Sequence, residues 1–313
     1  MFRTILVFIV AVVCLKASGQ LAPLAVPVTP FKAVVTVAPL RGLVEPLLPA
    51  GSELTMLMQP GRSEHGYEFT PGDLAKLAEA DLVVYVGLGL EPMIADWLAQ
   101  NPDPTRRVVE FAAAVEIKPA DPDADPHAGH DHEHDATCEH NHSGPDQHLW
   151  LDPVLVRRLI PVVRDSMQHA LADQDASDET RRTVNAAADK LITRIERVDA
   201  EWAAAFAAAK GVSIVTHHNA FGRPAARYGF EVAETIRTRE GEEPSPADLA
   251  RIVGSIKSRK VKAIFVEPQF NPKVANRIAK AAKVKVASLD PLGTGDWFAL
   301  MDANLKSIIE NTK

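Results

Sequence analysis

Cysteine is almost missing from this chain: two residues in 313, Cys14 and Cys138. Aromatic residues are only 6% of the composition, and alanine and valine dominate, a palette suited to helices and buried parallel strands. No apolar run approaches the roughly 20 residues a helix needs to cross a bilayer. The longest, residues 5–15, is about eleven, which is too short. Also missing are a glycine-rich phosphate-binding loop, an HExxH helix, a nucleophile elbow and any short-period repeat. These absences argue against nucleotide hydrolysis by this chain, against the common zinc-peptidase and serine-hydrolase designs, and against a solenoid.

The leading segment reads as a secretory signal: Arg3, the apolar run, then Ala17-Ser18-Gly19 as a small-residue cleavage site, so residues 1–19 are expected to be removed. A lipid anchor on Cys14 is disfavoured because Val13, not a small residue, precedes it. Losing Arg3 and Lys16 takes the formal charge from −7 to −9. So acidic a chain is a poor partner for nucleic acid or anionic membrane and suits the accumulation of cations. With only Cys138 left no intrachain disulfide can form, and the fold must hold by its cores.

Histidine and acid are abundant in one place. Residues 121–147 carry six histidines (His127, His130, His132, His134, His140 and His142) and eight acids in 27 positions. Neutral imidazoles beside carboxylates point to a divalent metal. The segment is read as a low-affinity collector, with a sensor of excess metal or a solvated linker as alternatives. Cys138 could join as a soft ligand or be incidental.

Around that segment, short β-rich runs alternate with helical stretches. Strands are expected at 33–39, 52–58, 81–87, 212–217, 231–236, 263–268 and 285–290, and near RRVVEF. Helices are expected between and after them, including 71–80 and one from Asp152-Pro153 to about Gln174. The longest periodic stretch places Val184, Leu191, Ile195, Val198, Trp202 and Phe206 on one face, with Ser177 as its cap. Over residues 178–209 such a helix spans roughly 48 Å. The expected architecture is α/β: two parallel-sheet lobes joined by one long rigid helix. The expected divisions are a signal peptide at 1–19, an N-terminal lobe at 20–176, a linker helix at 177–210 and a C-terminal lobe at 211–313.

Candidate ligands fall at strand ends or in the loops after them, where open α/β sheets bind. His65 lies in PGRSEHGYEFTPGD, His148 in DQHLWLDP, His217 and His218 at the end of the fifth strand, and Asp290 in SLDPLG. Adjacent strand residues point to opposite faces, so His217 and His218 should not share one metal. His169 is expected to be an ordinary surface residue. Glu267 in FVEPQF could support a ligand or be structural, and Glu240, Glu242 and Glu243 read as surface or helix-start acids.

The blocks HGYEFTPGD, HLWLDP, HNAFGRPAARYG, EGEEPSPADLARI and LDPLG, in that order, resemble the solute-binding proteins of zinc and manganese ABC importers, the cluster A-I family. The resemblance spans nearly all of the chain beyond the leader. It implies one metal in the cleft between two lobes, held by His65, His148, His218 and Asp290. It also implies a non-enzymatic, monomeric periplasmic protein delivering its ion to a membrane permease driven by a separate ATPase. Three imidazoles and one carboxylate favour Zn²⁺ as the transported ligand; the manganese branch typically has Glu where His218 stands. A manganese or iron carrier on the same fold, a stand-alone zinc buffer or chaperone, and a partner metallochaperone remain open alternatives.

Overall fold

The computed structural model describes residues 30–65, 67–118, 146–209, 211–237 and 244–313. The expected signal segment, Cys138 and the six histidines of the 121–147 segment lie outside the described residues.

The chain runs twice through the same pattern. In the first half, strands β1 (Lys32–Val35), β2 (Glu53–Met56), β3 (Leu82–Tyr85) and β4 (Arg107–Glu110) form a parallel sheet in the order β2-β1-β3-β4. In the second, β5 (Ser213–Thr216), β6 (Glu231–Thr235), β7 (Ala263–Val266) and β8 (Lys285–Ser288) repeat it as β6-β5-β7-β8. The central strands β3, β5 and β7 are buried at every position, whereas the edge strands β6 and β8 are mostly half-exposed. That is why LVVY and AIFV read as unbroken apolar runs and EVAET does not.

Helices α1 (Ala38–Val44), α2 (Pro71–Ala78), α3 (Pro92–Gln100) and α4 (Phe111–Ala114) belong to the first half, followed by α5 (Pro153–Asp173). Thr70 and Asp73 cap α2 reciprocally, each side chain taking the other's backbone N–H, with Pro71 at the first position. Asp152 caps α5 by accepting from Val154 and Leu155. The long helix α6 (Asp178–Ala208) starts at Ser177, whose hydroxyl accepts from Thr180. It buries Val184, Ala188, Leu191, Ile195, Trp202 and Phe206. The expected long helix between the lobes is therefore present. Helices α7 (Gly222–Tyr228), α8 (Pro246–Ser258), α9 (Lys273–Ala282) and α10 (Trp297–Thr312) complete the second half.

The lobes are braced as well as linked. Helix α10 turns back onto α1 and α6, and one apolar core runs continuously from Phe31 to Ile308. A smaller core around Ile252, Ile264 and Ile278 lies within the second sheet layer. Two buried tryptophans interlock across the seam: Trp150 Nε1 donates to the Pro291 carbonyl at 2.6 Å and Trp297 Nε1 to the Trp150 carbonyl at 2.7 Å. Arg227 grips the Asp152 carboxylate with two bonds of 2.6 Å. These contacts fix the segment 148–152, which carries His148, against the second lobe.

Candidate metal centre

Strand order reverses between β1 and β3 in one sheet and between β5 and β7 in the other, opening a crevice at their carboxyl ends. The first lobe fills its crevice with protein. Glu91 is buried there, accepting from Thr36 Oγ1 (2.6 Å) and from the amides of Val86 and Gly87 (3.0 Å each), and burial pushes its carboxyl up to about 7. The second lobe uses its crevice: His218 follows β5 and Glu267 follows β7.

Glu64 and His65 arrive from the loop joining β2 to α2. Tyr67 anchors that loop, donating to the Leu57 carbonyl at 2.9 Å and stacking edge-on against Phe69, just ahead of the capped start of α2. His148 sits at the turn of 3₁₀ helix that precedes α5. The His218 carbonyl accepts from Thr216 Oγ1 (2.8 Å) and from the Ala220 amide (3.0 Å), which fixes the backbone where the strand ends.

Glu64, His65, His148 and His218 converge so that one ligand atom from each lies within 4.8 Å of all the others. His148 Nε2 is 3.0 Å from His218 Nε2 and 3.1 Å from Glu64 Oε1; His218 Nε2 lies 3.6 Å and His65 Nε2 3.9 Å from that same oxygen. A tetrahedron with bonds of 2.0–2.1 Å has edges of about 3.3 Å, so small adjustments would close these atoms on an ion. Glu64 Oε2 is buried without a hydrogen-bond partner among the described residues, an expensive arrangement that a cation would relieve.

The charges are already arranged for a cation. Burial alone would raise the Glu64 carboxyl, but its contacts with His148 and His218 outweigh that and hold it well below the usual range. Burial would likewise lower His218, yet Glu267 and Glu64 raise it to about 10, and His148 is raised against burial by Asp146 and Glu64. His65 behaves oppositely: burial brings it down to about 4, leaving a neutral imidazole ready to bind.

Three of the four expected ligands are thus brought together. Asp290, expected as the fourth, is not in the group. Its Oδ1 accepts from the Leu292 and Gly293 amides at 2.9 and 3.0 Å, closing the turn after β8, while Asn304 brackets its backbone. The carboxylate in the group is Glu64, whose signal was its position in SEHGYEF, one residue before His65. His217 points elsewhere, stacked on Phe270 at 4.1 Å, with its Nε2 buried and without a hydrogen-bond partner among the described residues.

The profile of the family described as "Zinc-uptake complex component A periplasmic" (ZnuA) matches residues 33–311. The chain belongs to the ZnuA family. Among curated relatives it is 28% identical over 297 residues to the zinc-binding protein AdcA of Streptococcus pyogenes serotype M6, covering 88% of this chain and 55% of that one. The chain therefore spans about half the length of the AdcA proteins it matches. It is 23% identical over 272 residues to the high-affinity zinc uptake system protein ZnuA of Yersinia pestis, covering 84% of this chain and 83% of that one. Among solved structures it superposes on the Zn(II)-bound ZnuA-like domain of AdcA from Streptococcus pneumoniae with a TM-score of 0.68 and 25% identity, over 91% of this chain and 99% of that one. ZnuA-type architecture accordingly accounts for the two similar lobes, the long helix between them and the cleft in which the four side chains meet. Among the described residues of this ZnuA-family chain, no helix is long and apolar enough to cross a membrane.

Proposed function

We propose that this chain binds Zn²⁺ between its lobes in the periplasm and delivers it to an ABC importer, a permease energised by a separate ATPase. The observation that carries this reading is the group of Glu64, His65, His148 and His218, drawn from both lobes: three imidazoles gather near Glu64 Oε1, while its Oε2 is buried with no hydrogen-bond partner among the described residues. Three imidazoles and one carboxylate form a closed four-coordinate set that suits zinc better than manganese, which prefers a harder, oxygen-rich site. A closed set also leaves no position for a reactive water, so the role is capture and release rather than catalysis. With the lobes braced by Trp150, Trp297 and Arg227, zinc exchange calls for small movements around the cleft, not a wide hinge. The histidine-rich segment 121–147 serves as a weaker zinc collector. The family membership and the zinc-binding relatives support the reading.

The test is competition of the purified protein with a chromophoric zinc chelator, alongside His65→Ala, His148→Ala and His218→Ala. One tight site per chain is expected, weakened strongly in each variant, with manganese failing to displace zinc. Undiminished affinity in the three variants would refute the assignment. Deleting residues 127–142 should remove weaker zinc equivalents and spare the tight one.

A further inference from the structure

Two carboxylates outside the four-residue group each hold one of its imidazoles. Asp146 Oδ1 lies 2.9 Å from His148 Nδ1 and also accepts the His148 amide at 2.9 Å. Asp146 is itself held from the other lobe: its carbonyl accepts from Arg223 Nε at 3.1 Å and Nη2 at 2.6 Å. On the opposite side, Glu267 accepts from His218 Nδ1 through Oε1, while its Oε2 takes a 2.8 Å bond from Gln269 Nε2. Glu267 is buried at the end of β7, so its position is set by the second sheet. Among the described residues the His65 ring has no comparable carboxylate anchor; its Nε2 lies 3.9 Å from Glu64 Oε1.

We infer that Asp146 and Glu267 are positioning residues for the metal, fixing His148 and His218 in the tautomer that keeps the proton on Nδ1 and turns the Nε2 lone pair into the cleft. The inference rests on the zinc reading above and adds to it how the site is set. A neutral imidazole carries one proton, and the nitrogen facing a carboxylate keeps it; the other is then free to bind. Both Nε2 atoms face Glu64 and each other, as this requires. Without the carboxylates each ring could exchange tautomers or turn over, and part of the zinc binding energy would go to reordering it. The anchors also raise ligand basicity, and losing such a partner typically weakens metal binding by about 10–100-fold. One anchored imidazole comes from each lobe, so the pair presets the two walls of the site, and His65 is the ligand left to adjust.

The experiment uses the full-length protein with Asp146→Ala, Glu267→Ala, Asp146→Asn and Glu267→Gln. Zinc affinity is measured by chelator competition, and the Nδ1 protons of His148 and His218 are followed by ¹H–¹⁵N NMR of the zinc-loaded protein. Wild type should show one tight site, with both Nδ1 protons shifted downfield and slow to exchange with water because each is held by a carboxylate. Each Ala variant should lose about 10–100-fold in affinity, with the Nδ1 proton of the ring it served exchanging fast and losing that shift. The Asn and Gln variants keep a carbonyl acceptor and should lose less and retain a protected Nδ1 proton; they carry the test if an Ala variant does not fold. Affinities within about twofold of wild type, or a loss with the Nδ1 proton signal unchanged, would overturn the positioning role. Absence of a tight site in wild type would instead overturn the zinc reading, so the two failures are distinct.

Discussion

One substitution, made at two glycines, should move stability in opposite directions. Gly42 and Gly254 both lie inside helices with no left-handed backbone to protect. On helix propensity alone, Gly→Ala at either should stabilise by up to about 1 kcal/mol. At Gly254 in α8 a new Cβ meets nothing within 4 Å, so a gain of about 0.5–1 kcal/mol is expected. At Gly42 in α1 the same carbon would stand 2.6 Å from both the Gly295 carbonyl oxygen and the Trp297 amide nitrogen. Those are backbone atoms at the start of α10, so no rotamer change can give way, and the helices must separate. Overpacking of this kind typically costs about 1–3 kcal/mol. Set against the propensity gain, a net loss of about 1–2 kcal/mol is expected for Gly42→Ala. Because α1 and α10 meet across the seam that also fixes His148, zinc affinity should fall with it. Urea unfolding of the zinc-free proteins, followed by chelator competition, reads both effects. If both alanine variants shift the same way by similar amounts, the reasoning about the seam is wrong.

Other outcomes separate the remaining claims. Glu64→Ala should abolish tight zinc binding, whereas Asp290→Ala should chiefly loosen the turn at 290–293 and cost affinity less; the reverse ranking by competition titration would point to Asp290 as the carboxylate ligand. Trp150→Phe removes the donor to the buried Pro291 carbonyl and leaves a void, for an expected loss of about 2–4 kcal/mol in urea unfolding; a loss under 1 kcal/mol would remove this bond as a brace. His218 is raised to about 10, so at pH 7 zinc must displace a proton, and affinity should weaken as pH falls. Calorimetry in two buffers of different ionisation enthalpy should show that proton release, and identical heats would contradict it. For the zinc-free protein the sign is fixed by the same shift: the His218 contribution is complete below the ordinary value of 6.5 and is lost as pH rises through about 10.

Local pattern determined much of this protein. Unbroken apolar runs such as LVVY and AIFV announce covered parallel strands, Thr70-Pro71 and Asp152-Pro153 mark helix starts, and the periodicity from Val184 to Phe206 gives the long helix. His65, His148 and His218 could be picked out because each lies in or beside a loop at the carboxyl edge of a sheet, where the backbone leaves side chains free to converge. What tertiary structure decided was which groups actually meet. Glu64 and Asp290 are both acids beside a turn, and sequence cannot say that one oxygen of Asp290 is occupied by two backbone amides while one of Glu64 is buried with no hydrogen-bond partner among the described residues. Nor can it show that Asp146 and Glu267, on elements far apart in the chain, each end on a different imidazole, or that α10 folds back to clamp α1. Strand and helix periodicity is written in neighbouring residues, whereas a metal site depends on how two separately folded sheets are packed, and that is fixed only when the long-range contacts form.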